Sequence, residues 1–433
     1  MKKNTRRSFI INSIMAGVGA TGFLSTLPIK DAVSEDHNSS HKYTKKGKTD
    51  DYAWIRMECE KVVQTCKIKA IDGSILFTPD GVGHYGAMWT RDFAYLVEHG
   101  CEFLDQKQVK FAIEILLYGQ RKDGAIPDRV NERLVPIYYP GAVKGSIITR
   151  EKLQMFQEKN LLGALRGPMG EVPALDNPMF MVSLIYHYHQ HFKDKKFVAS
   201  TLSALHQALD FVPMNRGLVY NDPQRPSCTY GFQDNVAKGG HDLFASLLYI
   251  IACHQMKELD PTNDEYWHKR ATVAENNLWL LFDEKRGIYL AANEICRQVD
   301  IWGNAFLVAY NIGDSYLQKK VAQYLAKNYK SYMYAGQVRH LPTPEYWERM
   351  FKPLSKDTYQ NGGYWGTASG WVIKALQTVD PKLADSTFNE LINNYHRGIF
   401  EWISPSGSKG PDLYVATILN VWSLVKDKHN NFR

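Results

Sequence analysis

From about Asp50 onward, an apolar stripe with helical period returns roughly every thirty residues, and no other feature constrains the fold as tightly. The stripes occupy 51–68, 89–104, 108–121, 177–192, 195–212, 241–259, 265–282, 301–313, 315–329, 364–379, 383–396 and 412–427. In the first, Trp54, Ile55, Met57, Val62 and Val63 mark the buried face. Gly, Pro, Asp or Asn stands at most of the ends, where helices start and stop. About twelve helices are therefore expected, and they alternate in kind. Those following loops rich in Trp, Gly, Asn and Asp are apolar all round, and those between them are amphipathic. That alternation fits two concentric rings, with inner helices buried and outer helices half exposed. A simple solenoid would show repeats more alike. Strand patterns are few, at 74–79, 217–222 and 287–292, and are expected as short hairpins in loops.

The N-terminal fifty residues read differently. Residues 1–28 have a basic start, Thr5-Arg6-Arg7-Ser8-Phe9-Ile10, and then a weakly apolar run rich in Gly and Ala. The segment resembles a twin-arginine export signal, which predicts the twin-arginine machinery as a partner and a periplasmic or extracellular destination. Residues 29–50 are polar and read as a disordered linker, leaving 51–433 as one domain. The net charge of +7 belongs mostly to this region: nine Lys/Arg and four Asp/Glu lie in 1–50, so the remainder carries only +2. A nucleic-acid partner loses its main support. Six cysteines are scattered without a CxxC, so neither a zinc ribbon nor a disulfide framework is signalled.

Chemistry is expected in the long connections. The stretches 81–92, 221–240, 355–371 and 396–412 set carboxylates and amides against Trp, Tyr and Phe, with glycines between. Solvated loops rarely need so many aromatics, whereas a cleft that stacks sugar rings and binds hydroxyls does. Within 84–100, Trp89-Thr90-Arg91-Asp92 stands at the mouth of a helix, where Asp92 is either an N-cap or part of a site.

These motifs, in this order, resemble the six-hairpin, (α/α)6-barrel glycosidases, a group that includes glucoamylases, trehalases and processing α-glucosidases. Tyr85-Gly86-Ala87-Met88-Trp89-Thr90-Arg91-Asp92 is similar to the glucoamylase stretch ending Trp-Thr-Arg-Asp, whose Arg and Asp grip the terminal sugar. Tyr230-Gly231-Phe232-Gln233-Asp234 resembles the trehalase and processing-glucosidase segment that ends in the general acid. Gln360-Asn361-Gly362-Gly363-Tyr364-Trp365 is similar to a shared Gly-rich aromatic loop, and Phe400-Glu401-Trp402 resembles the loop carrying the general base. One departure is Asn235, where an aromatic or acidic residue often follows the acid. The resemblance implies an all-α (α/α)6 toroid with a few loop hairpins. It further implies an exo-acting, inverting hydrolase of an α-glucoside-type linkage in an oligo- or polysaccharide, working without a cofactor.

Asp234 and Glu401 are thus the candidate catalytic pair, with Asp242 the alternative acid. Glu401, between two aromatics, is expected to be partly buried with a raised pKa. Trp89, Arg91, Asp92, Arg339, His340, Gln360, Asn361, Tyr364 and Trp365 are expected at the substrate, and Trp302 as a stacking platform. His187, His189 and His191 lack the carboxylate of a metalloprotease pattern and read as a solvated helix end rather than a metal site. The sequence has no phosphate-binding Gly-rich loop and no Gly-x-Ser-x-Gly nucleophile. A non-catalytic carbohydrate-binding barrel, a sugar epimerase and a polysaccharide lyase remain the alternatives on such a fold.

Overall fold

The structure is a computed structural model that describes residues 48–141, 169–170 and 172–430. The expected export signal (1–28) and nearly all of the expected linker lie outside the described residues.

Twelve α-helices occur among the described residues. They are α1 (Lys48–Thr65), α2 (Thr90–Gly100), α3 (Gln106–Tyr118), α4 (Asn177–Phe192), α5 (Lys195–Phe211) and α6 (Leu243–Leu259). After these come α7 (Asp264–Asn277), α8 (Ile301–Ala309), α9 (Ser315–Lys327), α10 (Ser369–Gln377), α11 (Pro381–Tyr395) and α12 (Val415–Asn430). Each overlaps one of the apolar stripes. The even-numbered helices form a cycle of contacts: α2 packs on α4, α4 on α6, α6 on α8, α8 on α10, α10 on α12, and α12 back on α2. Each odd-numbered helix packs outside this cycle, as α7 does on α6 and α11 on α10.

Burial follows from that arrangement. Helix α6 buries residues all around its axis, including Phe244, Leu247, Tyr249 and Ile250. Its outer partner α7 buries only Trp267, Ala271 and Ala274, one stripe at i, i+4, i+7. Asp side chains cap six of the helices, for example Asp105 on Gln108 N at 3.0 Å and Asp242 on Ala245 N at 2.9 Å. Each such cap contributes about 1 kcal/mol. Asp92 is not one of them. Helix α2 begins at Thr90 after Trp89, so Asp92 lies inside its first turn and its carboxylate accepts from Tyr414 instead.

Very short strands stitch the connections together. Ala87–Trp89 pairs antiparallel with Arg129–Asn131, setting Trp89 opposite Arg129. The strands Gln337–Arg339, Tyr364–Trp365 and Trp402–Ile403 join in order in a four-stranded sheet, with Trp365 opposite Trp402. Tyr364 and Trp365 were expected to open a helix, but they pair in this sheet and α10 starts at Ser369. The described parts of the connections before α2, α4, α6, α10 and α12 meet at one end of the bundle. All six cysteines are buried and free, so no disulfide shapes the domain.

Candidate active site

That end holds a cavity of about 190 Å³. Its wall draws on the start of α2 (Trp89, Arg91, Asp92) and the connection before α6 (Gly231, Phe232, Asp234). Tyr359 before α10, and Glu401 and Tyr414 before α12, complete it, with Tyr85 and Arg129 alongside.

A buried ion network forms its floor. Arg91, only 3 % exposed, donates through Nη2 to Asp128 Oδ1, and its Nε reaches Asp176 Oδ2 at 3.4 Å. Arg129 donates to the other oxygen of Asp128 at 2.5 Å and lies over the Trp89 ring at 5.0 Å. Burial pushes Asp128 upward, but the Arg91 and Arg129 guanidiniums prevail and hold its carboxyl below the usual carboxylate range. The same Asp176 oxygen accepts the main-chain N–H of Gly231 at 2.6 Å. The loop carrying Asp234 is thus anchored directly on the partner of Arg91.

Three carboxyls then face the cavity with raised pKa. Burial lifts Glu401 to about 8; the Tyr85 hydroxyl, donating to Oε1 at 2.6 Å, works against it, while Asp92 and Asp234 add to it. Burial lifts Asp92 to about 7 against the Arg91 charge and the Tyr414 hydroxyl, which donates to Oδ1 at 2.8 Å. Asp234 is lifted to about 6, again by burial, with the Gln360 amide pulling it down from 2.8 Å. Carboxyls held near neutrality in a shielded pocket can hold or release a proton at physiological pH.

Of the expected site residues, Trp89, Arg91, Asp92, Asp234 and Glu401 line this cavity, and Gln360 sits directly behind Asp234. Asp242 does not line it. It caps α6, accepts from Thr229 at 2.8 Å and pairs with buried Lys238 at 2.7 Å, which commits it to the scaffold. Trp302 is not a stacking platform, because it is fully buried between His340 (ring centroids 4.0 Å apart), Trp365 and Trp371. His340 is 1 % exposed; burial drives its pKa well below the usual histidine value, and it braces Gln233 from 3.2 Å. Arg339 donates to the Glu345 carbonyl under the Tyr346 ring, and Asn361 donates to the Leu354 carbonyl. Tyr364 packs beside Tyr334, away from the cavity wall.

Sequence reading missed Tyr85, Asp128, Arg129, Asp176, Tyr359 and Tyr414. Tyr85 and Tyr359 lie inside dense motifs, and Asp176 has a signal in Asp-Asn-Pro ahead of a helix. Tyr414 reads as helical, but α12 starts one residue later and leaves it facing Asp92. His187 is partly covered, its Nε2 3.7 Å from Glu98 at the end of α2, whereas His191 in the last turn of α4 is exposed. Among the described residues no three His, Cys, Asp or Glu side chains converge as a metal site.

No protein-family model and no curated protein matches the sequence. Solved structures do. A rhamnosidase from Klebsiella oxytoca with rhamnose bound aligns over 88 % of this chain at 14 % identity with a TM-score of 0.61. The alignment covers 65 % of the rhamnosidase, so this chain spans just under two thirds of that protein. A GH63 mannosylglycerate hydrolase from Thermus thermophilus, in complex with Tris and D-glycerate, aligns over 85 % of this chain and 99 % of its own length. Its identity is 14 % and its TM-score 0.56. The same hydrolase in complex with glucose gives 12 % identity and a TM-score of 0.57. At such identities the likeness is one of architecture, and this chain shares the helical fold of these glycoside hydrolases.

Proposed function

We propose that this chain is an exo-acting glycoside hydrolase built on an (α/α)6 toroid, exported through its twin-arginine-like leader. Its substrate is an oligo- or polysaccharide with an α-glucoside-type linkage, which it cleaves with inversion. The observation that carries the reading is the pair Asp234 and Glu401. Both line one small cavity with raised pKa, and among the described residues each is held by a single side-chain hydrogen-bond donor, Gln360 or Tyr85. The contact cycle of the even-numbered helices supports the toroid. A pocket of this volume, below the roughly 300–1,000 Å³ of drug-sized sites, suits one sugar ring and supports exo action.

In this mechanism the Asp234 carboxyl gives its proton to the glycosidic oxygen as the C–O bond breaks, and that bond's electron pair stays with the leaving oxygen. A water adds to the anomeric carbon from the other face and passes its proton to the Glu401 carboxylate. Solvent exchange then returns both carboxyls to their starting states. Protonating Asp234 also removes the like charge that raises Glu401, so one proton shared by the pair is self-consistent. Arg91 and Asp92 supply charge-assisted hydrogen bonds to the ring hydroxyls.

A second reading exchanges the roles, and the higher pKa of Glu401 favours it. Leaving-group dependence separates the two. If Asp234 is the acid, Asp234→Asn abolishes turnover of unactivated glycosides and spares activated ones, while Glu401→Gln loses both. The reverse pattern assigns Glu401 as the acid. A saccharide panel assayed for released, epimerised or unsaturated sugar tests hydrolysis against epimerase and lyase chemistry. Among the described residues no histidine lines the cavity, which disfavours a histidine-based epimerase.

A further inference from the structure

The geometry points to Gln360 as the positioning residue that decides which oxygen of Asp234 carries the acid proton. The inference rests on the glycosidase reading and goes beyond it, moving Gln360 from the substrate to the acid. Gln360 is completely buried, and its main-chain carbonyl is pinned by Trp347 Nε1 at 2.9 Å. Its side-chain Oε1 accepts the main-chain N–H of Asn235 at 3.0 Å. A main-chain N–H only donates, so the amide oxygen must face it and the NH2 group must face the other way. That NH2 group lies 2.8 Å from Asp234 Oδ1 and also only donates. Oδ1 is therefore the accepting oxygen, and a proton on Asp234 belongs on Oδ2. Among the described residues Oδ2 takes part in no hydrogen bond, and the half-buried side chain borders the cavity.

The surroundings hold this arrangement in register. Asn235, the residue that departs from the family pattern, donates to the Lys352 carbonyl at 2.6 Å. It accepts from the Lys352 N–H at 2.9 Å, and its own carbonyl accepts from Phe351 N at 2.9 Å. The loop that delivers Gln360 is strained, with φ of 60° at Asp357 and 41° at Tyr359. Gly363 N and Trp365 Nε1 both donate to the Tyr359 carbonyl, at 2.9 and 3.1 Å, and keep it in place. When the Oδ2–H proton moves to the glycosidic oxygen, the new carboxylate charge meets the Gln360 donor already in position. Gln360 touches no reacting atom and acts through Asp234.

The test uses the full chain with Gln360→Met, which removes the donor, and Gln360→Glu, which keeps the shape and the acceptor for Asn235 but has no donor when ionised. Carbon-13 carboxyl NMR follows the titration of Asp234, its signal assigned by its loss in Asp234→Asn. Arg91 and Arg129 lower this group and Asp128 raises it, while Glu401, Tyr359 and Cys228 are coupled to it; none of these is changed. Both variants should raise the Asp234 midpoint above its wild-type value of about 6. Turnover of an unactivated glycoside should fall by about tenfold or more, while a dinitrophenyl glycoside, which needs no proton, should change far less. An unmoved midpoint, or equal losses on the two substrates, overturns the proposal. Wild-type protein that cleaves neither substrate would sink the glycosidase reading instead, and the titration would still decide whether Gln360 governs Asp234.

Discussion

Glu401 is 2 % exposed, and its carboxyl, lifted by burial to about 8, is a group the fold would be more stable without. In the unfolded chain it titrates near the ordinary glutamate value. As pH rises from there towards 8 the unfolded state sheds a proton that the folded state keeps, so folding stability declines across that window. Glu401→Gln retains an acceptor for Tyr85 and removes the buried charge. Its melting temperature should exceed that of wild type above pH 8 and converge with it near pH 4; a variant less stable than wild type at pH 9 would show that Glu401 is a structural group. Asp92→Ala tests binding instead. Charge-assisted hydrogen bonds contribute roughly 1.5–3 kcal/mol, so kcat/KM should fall by about a hundredfold with the fold retained. Steady-state kinetics with a circular-dichroism melt checks both halves of that statement.

The connections, rather than the helices, determine whether those residues meet. The loop before α6 crosses Arg91 so closely that a Cβ on Gly231 would lie 1.6 Å from Arg91 Nε. Gly231→Ala should therefore displace either the loop or the guanidinium, breaking the pairs with Asp128 and Asp176. Loss of one partner from a buried pair costs about 3–5 kcal/mol, and the denaturation midpoint should fall accordingly, together with activity. Such elements are only partly legible in the sequence. Helices α1 to α12 can be read because a 3.6-residue stripe persists over nine residues or more. Strands of two or three residues, such as Tyr364–Trp365 and Trp402–Ile403, are too short to show a period, so the first reads as helix. Arg91, Asp92, Asp234 and Glu401 stand out because each lies in a dense local motif. The partners of Arg91 lie 37 and 85 residues away, a pairing that only the folded chain reveals.

At the scale of the molecule, the cycle of even-numbered helices closes when α12, the last of them, packs on α2, the first. Its cysteines are all buried and free, so a reductant should leave the unfolding midpoint unchanged; a fall on adding dithiothreitol would reveal a bridge that this packing does not contain. Closure also bears on stereochemistry. In a cycle of six, α6 and α12 stand three steps apart in either direction, and the loops that precede them both reach the cavity. Asp234 arrives on the first and Glu401 on the second. The proposed inverting mechanism needs a water between the two carboxyls and thus a separation of about 6.5–9.5 Å, against about 5–5.5 Å when the second carboxylate attacks directly. The first-formed sugar from an α-glycoside should therefore be the β-anomer, visible by proton NMR before mutarotation. An α-anomer appearing first would mean that the second carboxylate attacks the anomeric carbon itself, and would overturn the inverting mechanism while leaving the fold untouched.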